Sequence, residues 1–133
     1  MLHIVNGDCA IEALKDSGIE GDFLSWLDVL HDGPVLEGLS QGELSEVLAD
    51  FIADCDWTVL EKAKNVFQKR DIVSRKCHEY DEVVPWNSFE LFDQLHIIQL
   101  LDGFTQTRNN FQHLSVIFFD DYLERVSIES LLQ

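Results

Sequence analysis

Short apolar segments that suit β-strands alternate along this chain with segments of helical periodicity, and this alternation constrains the fold more than any other feature. The strand-like segments are 2–6, 22–28, 81–87 and 113–121. Alternation of strands and helices predicts a parallel sheet with helices on both of its faces. We therefore expect an α/β fold in which residues 1–133 form a single three-layer domain, similar in architecture to Rossmann and flavodoxin folds.

The order of the strands follows from the handedness of the connections. Right-handed crossovers would place four mainly parallel strands in the order 2-1-3-4. The order then reverses between the first and third strands, and such sheets bind ligands beyond the carboxyl ends of the strands at that reversal. With 133 residues, of which 46% are hydrophobic, the chain is long enough to bury one core.

Capping residues mark where the helices should begin and end. Short polar side chains and S/T-x-x-E boxes favour helix starts, and glycine favours helix ends. The expected markers are Asp8 and Gly18 for the first helix, boxes at Ser40 with Glu43 and at Thr58 with Glu61, and Ser88 with Gly103 for the last helix.

The chain is strongly acidic. Twenty-five Asp and Glu residues against nine Lys and Arg residues give a formal net charge of −16, so binding to nucleic acid is not expected. Six of the nine bases lie between 62 and 76, and we interpret that stretch as the solvated face of a helix. The chain also has no long apolar run or secretory signal, so a cytoplasmic location without membrane contact is expected.

Polar residues follow every predicted strand, and a parallel sheet would bring these strand ends to one edge. The segments concerned are Asn6-Gly7-Asp8, Asp28 with the loop His31-Asp32-Gly33-Pro34, Trp86-Asn87, and Asp120-Asp121. Carboxylates, amides, a histidine and an indole around one crevice are typical of a small-molecule site. The alternative is that these residues only turn the chain and cap the next helix.

Asp28 and His31 are the candidate catalytic residues. Asp28 leaves an apolar segment, where a carboxylate must find a partner. His31 lies near acids that favour its protonated form, which suits acid–base work. His31 can equally be an exposed loop histidine.

The candidate ligand-binding residues are Asn6, Gly7, Asp8, Gly33, Trp86 and Asn87. Trp86 would either form a stacking wall for a planar ligand or pack in the core. Asp8, Asp28 and Asp120 are candidate ligands for Mg²⁺, which prefers carboxylate oxygens. His96 and Gln99 fall in an apolar helix, and we assign them no function.

Two functions are consistent with these features. The first is binding of a small polar, nucleotide-like ligand at the carboxyl edge of the sheet, with or without Mg²⁺; no other cofactor is indicated. The alternative is an acidic interaction protein without catalysis that docks a basic protein surface. Because GxxxxGK[ST], GxGxxG and GxSxG motifs are all missing, the familiar phosphate-binding and hydrolase sites are not expected, and a reaction is not assigned.

Three stretches together resemble a known family. They are LHIVNGD (2–8), WLDVLHDGPV (26–35) and PWNSFELFDQLHIIQLLD (85–102). They resemble bacterial domain-of-unknown-function family 1835, and the resemblance spans nearly the whole chain. The matching positions are His3, Asn6, Gly7, Asp8, Trp26, Asp28, Gly33, Pro34, Trp86, Asp93, Gln94 and Leu95.

The resemblance implies the α/β fold and the edge site, but no substrate. One segment departs from the family pattern. Where relatives carry an aromatic-acid-His-Asp run, this chain has Asn87-Ser88-Phe89-Glu90. Any chemistry that the His-Asp pair performs in relatives is therefore in doubt here.

Overall fold

A computed structural model describes residues 1–106 and 113–121 of the chain. Its single sheet has four parallel strands in the order β2-β1-β3-β4. The strands are β1 (Leu2–Val5), β2 (Asp22–Ser25), β3 (Val83–Asn87) and β4 (Ile117–Phe118). The predicted α/β class and strand order 2-1-3-4 are confirmed.

Four helices connect the strands. They are α1 (Asp8–Asp16), α2 (Gln41–Asp54), α3 (Leu60–Arg75) and α4 (Leu91–Gln106), with a 3₁₀ turn at Cys77–Glu79. No helix among these described segments is long and apolar enough to cross a membrane.

The two faces of the sheet bury different helices, which gives three layers. Leu2 and Ile4 of β1 face the layer of α3 and α4, where Ile97 and Leu100 of α4 complete one apolar cluster. Val5 faces α1 on the opposite side. Helix α2 packs on α3 outside the sheet, through the cluster that contains Leu48, Ala49, Ala63 and Phe67.

Parallel pairing brings the carboxyl ends of the strands to a common edge. Val5 of β1 pairs with Ser25 of β2, and Ile4 pairs with Pro85 of β3. The backbone N–H of Trp26 continues the ladder by donating to the Val5 carbonyl over 2.7 Å. The residues that follow these strands therefore leave the sheet on the same side of the molecule.

Capping predictions were right for one helix and wrong for two others. Ser40 and Glu43 form the predicted capping box at the start of α2. The N-cap of α1 is Gly7 at φ 90°, so Asp8 is the first helical residue and not the cap. At α3 the N-cap is Val59 and no side chain caps the helix, so Thr58 does not form the second predicted box.

Two other expectations are also corrected. Helix α4 starts at Leu91 and continues past Gly103 to Gln106, whereas the sequence predicted an end at Gly103. A Cβ on Gly103 would lie 2.8 Å from Gln41 Oε1, so this glycine allows α4 to approach the start of α2. The apolar run from Val116 to Phe119 predicts a buried central or parallel strand; β4 is parallel to β3, but it is a short edge strand whose Phe118 is exposed.

Candidate functional site

Residues from the ends of β1 and β2 meet α4 around a small pocket at the carboxyl edge of the sheet. Its lining consists of Asn6, Trp26, Asp28, Leu30, His31, Phe92, Leu95 and His96. We call these eight residues the edge pocket. Its volume of about 20 Å³ is enough for one water molecule or a group of that size.

Asp28 finds its partner in Arg70. Nη1 of Arg70 donates to Asp28 Oδ2 over 2.8 Å, and both side chains are almost fully buried. The other carboxylate oxygen, Oδ1, accepts from the backbone N–H of Val29 over 2.7 Å. The sequence analysis expects that this carboxylate has a partner. It also expects the stretch that contains Arg70 to be a solvated helix face, and for Arg70, which is buried, that interpretation is wrong.

All five N–H donors of Arg70 are occupied. Nη1 also donates to the Leu27 carbonyl, Nη2 donates to Ser45 Oγ and Asp71 Oδ1, and Nε donates to Asp71 Oδ1. The guanidinium carbon lies 4.7 Å from the ring centre of Trp26. Arg70 therefore ties α2 and α3 to the end of β2 and has no free donor for a ligand.

A second polar connection joins the end of β1 to the start of α4. Asn6 Nδ2 donates to Asp93 Oδ1 over 2.8 Å, and the backbone N–H of Ser88 donates to Asp93 Oδ2 over 2.5 Å. Gln94 Nε2 donates to the Ser88 carbonyl over 2.8 Å. Asp93 is thus held in place by groups from both neighbouring strand ends.

His96 lines the pocket without a hydrogen-bond partner for its imidazole among the described residues. Its side chain is 3% exposed, and neither Nδ1 nor Nε2 has a hydrogen-bond partner among the described residues. Burial lowers the pKa of His96 to about 4, and the positive charge of Arg70 acts in the same direction while Asp93 opposes it. His96 therefore presents a neutral imidazole to the pocket at pH 7.

Trp26 contacts both His96 and Arg70. Its ring stacks on the imidazole with centroids 5.5 Å apart and an interplanar angle of 24°. Its Nε1 donates to Gln99 Oε1 over 2.7 Å. We assigned no function to His96 and Gln99 from the sequence, although two polar residues three positions apart in an apolar helix were a signal that one face of α4 meets polar groups.

His31 stands at the rim of the edge pocket. Its ring meets Phe92 edge-on at 4.3 Å between centroids, and Nε2 lies 3.4 Å from Asp32 Oδ2. Its side chain is 26% exposed, so His31 is reachable from solvent. Asp28 and His31, the two candidate catalytic residues, therefore line the same pocket.

Asn6 lines the edge pocket, but the other five predicted ligand-binding residues do not. Gly7 and Asp8 lie at the start of α1. Gly33 is a packing residue, since a Cβ there would come within 2.7 Å of Leu48 Cδ2. Trp86 is buried on the α1 face of the sheet, so it packs in the core and is not a stacking wall of this pocket.

Asn87, the last residue of β3, and His3 of β1 are both buried. Asn87 also lies outside the pocket lining; it is fully buried, and neither side-chain polar atom has a partner among the described residues. His3 has a structural role: Nδ1 accepts from Trp86 Nε1 over 3.1 Å, and Nε2 faces the Glu20 carbonyl. Burial lowers the pKa of His3, which favours its neutral form.

The predicted magnesium ligands do not form a metal site. Within residues 1–106 and 113–121, no three His, Cys, Asp or Glu side chains are placed to hold a metal ion. In the described part of the chain, Asp8, Asp28 and Asp120 are therefore not gathered at one metal site. The physical reason is that Asp28 turns towards Arg70, which already neutralises its charge.

Comparison of the chain with protein-family models, curated proteins and solved structures found no match. Membership of the family that the three sequence stretches resemble therefore stays a prediction.

Proposed function

We propose that this protein binds a small polar ligand in the edge pocket at the carboxyl ends of β1 and β2. The observation that carries the proposal is His96, because a buried polar group without a hydrogen-bond partner is costly and needs a reason. One polar group of a ligand, of about the size of a water molecule, would fill the pocket and bond to the imidazole. The rest of the ligand would lie at the rim, beside Phe92 and His31.

The charges around the pocket favour a ligand that donates hydrogen bonds over one that carries phosphate. Asp28 lines the pocket as an ion pair with Arg70, whose donors are all used, and the carboxylate of Asp93 lies next to the lining, where it accepts from Asn6. A neutral imidazole can accept through one ring nitrogen and donate through the other. An amino or hydroxyl group of an uncharged, nucleoside-like molecule meets these requirements, and we do not include Mg²⁺ in the proposal.

A panel of nucleosides tests this function. The probes are adenosine, guanosine, cytidine and uridine, with AMP plus Mg²⁺ as the phosphorylated comparison. A probe at ten times its Kd stabilises the fold by about 1.4 kcal/mol, which raises Tm by roughly 3–6 °C for a chain of this size. We expect at least one nucleoside to produce this rise and AMP plus Mg²⁺ to produce less.

Two variants decide where the probe binds. His96→Phe keeps an aromatic ring against Trp26 but removes both ring nitrogens, so it should abolish the rise. His78→Phe is the matched control, because His78 is exposed and lies beyond α3. The proposal fails if no nucleoside raises Tm, or if His96→Phe and the wild type respond equally.

A further inference from the structure

A second, larger depression lies on the outer side of α4, facing the loop that leads into α2. Its volume is about 730 Å³. Its lining consists of Leu30, Val35, Leu36, Glu37, Gly38, Leu39, Ser40, Glu43, Leu44, Leu95, Ile98, Gln99, Asp102 and Gln106. We call it the α4 groove.

The α4 groove presents apolar side chains to solvent. Ile98 is 65% exposed, Val35 is 61% exposed and Leu36 is 53% exposed. Exposed apolar residues scattered singly need no explanation, but residues that line a common depression mark an interaction site. Burying these side chains against a partner would contribute a favourable hydrophobic free energy to binding.

The charged residues of the groove have one sign. Glu37, Glu43 and Asp102 belong to its lining, and no Lys, Arg or His does. The chain as a whole carries a formal charge of −16. A partner with basic residues beside its apolar ones would be attracted at long range and would pair with these carboxylates at the rim.

The shape of the groove suits a polypeptide segment. Along α4 it runs from Leu95 to Gln106, about three helical turns or 16 Å. Gln99 adds a polar feature to the apolar lining, since its Nε2 is buried and has no partner among the described residues.

From these features we infer that the α4 groove docks an amphipathic, basic segment of a partner protein. The apolar face of the segment lies against Val35, Leu36 and Ile98, and its Lys or Arg residues pair with Glu37 and Asp102. This is the helix-in-groove mode of recognition. The groove adjoins the edge pocket, since Leu30 and Leu95 line both, but this inference rests on Val35, Leu36 and Ile98 and not on His96, so different variants test the two proposals.

A designed peptide tests the inference on the full chain. The probe is a fluorescein-labelled peptide of roughly 18 residues, with Leu on one helical face and Lys on the other. One comparison peptide has the same composition in scrambled order, and another carries Glu in place of Lys. Anisotropy titrations at two salt concentrations should show the patterned Lys peptide binding most tightly, and more weakly at high salt.

Paired variants separate docking from general attraction between opposite charges. Ile98→Asp removes an apolar contact in the groove, whereas Ile72→Asp makes the same change at an exposed position of α3 outside it. Both add one negative charge, which by itself would strengthen binding of a basic peptide. We expect Ile98→Asp to weaken binding at least about tenfold, as loss of a central anchor does, and Ile72→Asp to leave it within about twofold. Glu37→Lys should also weaken it, by about threefold or more.

Three results would overturn the inference. Failure of the patterned Lys peptide to bind, or equal binding of the scrambled or Glu peptide, would remove the proposed partner chemistry. Equal effects of Ile98→Asp and Ile72→Asp would place binding outside the groove. Sedimentation that shows the chain self-associating, and Ile98→Asp preventing it, would make a second copy the occupant.

Discussion

Arg70 shows how one buried side chain can join three elements. It comes from α3, bonds to Asp28 at the end of β2 and to Ser45 in α2, and packs against the face of Trp26. Two carboxylates, those of Asp28 and Asp71, depend on it for neutralisation. The net stabilisation from such a buried pair can be small, but removing one partner leaves an uncompensated charge in the interior.

The first residue-scale prediction concerns that arginine. Arg70→Met should lower the free energy of unfolding by about 3–5 kcal/mol, because it leaves two buried carboxylates without their cation. Lys69→Met, one position earlier and exposed, is the control and should change stability by less than about 0.5 kcal/mol. Urea unfolding followed by circular dichroism measures both. Equal effects of the two substitutions would mean that Arg70 is not buried with these carboxylates.

His96 gives the second residue-scale prediction, through pH. Its pKa is about 4 in the fold and near 6.5 in the unfolded chain, so between these values the unfolded state binds more protons. The contribution of His96 is therefore complete above pH 6.5 and is lost as the pH falls towards 4. Between pH 7 and pH 5 the wild type should lose about 2 kcal/mol more than His96→Phe does.

The control for this measurement is His78→Phe, whose loss between the two pH values should match that of the wild type. His78 is exposed, so His78→Phe removes a histidine but leaves the buried imidazole of His96 in place. If His96→Phe showed the same pH dependence as the wild type, His96 would titrate alike in both states. The edge pocket would then not be buried.

At the scale of elements, the junction of α2 and α4 depends on a glycine. A Cβ on Gly103 would press on Gln41, whose Nε2 donates to Asp71 Oδ1 over 2.9 Å. Helices normally favour Ala over Gly by about 1 kcal/mol. At Gly103 the gain in helix propensity from alanine competes with the loss of the hydrogen bond from Gln41 to Asp71, which is itself bonded to Arg70.

We therefore predict opposite effects for two Gly→Ala substitutions in helices. Gly42→Ala, with nothing within 4 Å of its new Cβ, should stabilise the protein by up to about 1 kcal/mol. Gly103→Ala should destabilise it by about 1 kcal/mol. In a Gln41→Ala background, Gly103→Ala should become stabilising, as measured by urea unfolding. A stabilising Gly103→Ala in the otherwise unchanged chain would contradict the close approach of α4 to Gln41.

At the scale of the whole molecule, 25 acidic side chains repel one another in the compact state. Salt screens exposed charges, with a Debye length that falls to about 8 Å near physiological ionic strength. Raising NaCl from 20 to 200 mM should therefore raise Tm by roughly 2–4 °C, as followed by scanning calorimetry. KCl should act equally at the same ionic strength, and a fall in Tm would show that attractive ion pairs dominate instead.

Much of the architecture could be predicted from the sequence, because strand–helix alternation and crossover handedness leave few topologies. The need of Asp28 for a partner was also visible, since a carboxylate after an apolar run cannot remain unpaired. The identity of the partner was not: Arg70 lies 42 residues away, among bases that are mostly exposed.

The sequence also could not predict which face of the sheet each strand side chain lies on. In a parallel sheet both faces are covered, so β1 and β3 are buried throughout and show no alternation between apolar and polar residues. Trp86 could therefore not be assigned to the α1 face in advance. The environment of His96 and Gln99 was likewise not evident, because apolar residues occur on several sides of α4 and its periodicity does not single out one face.

Strand ends far apart in the chain converge with α4 around the edge pocket, and Arg70 of α3 holds Asp28 in its lining. A double-mutant cycle between Asp28→Asn and Arg70→Met tests this most directly, since it measures the coupling between the end of β2 and α3. The structure predicts a coupling energy of about 2 kcal/mol or more, consistent with a buried, hydrogen-bonded ion pair. A coupling near zero would mean that Asp28 and Arg70 do not meet, and would contradict the pocket built around them.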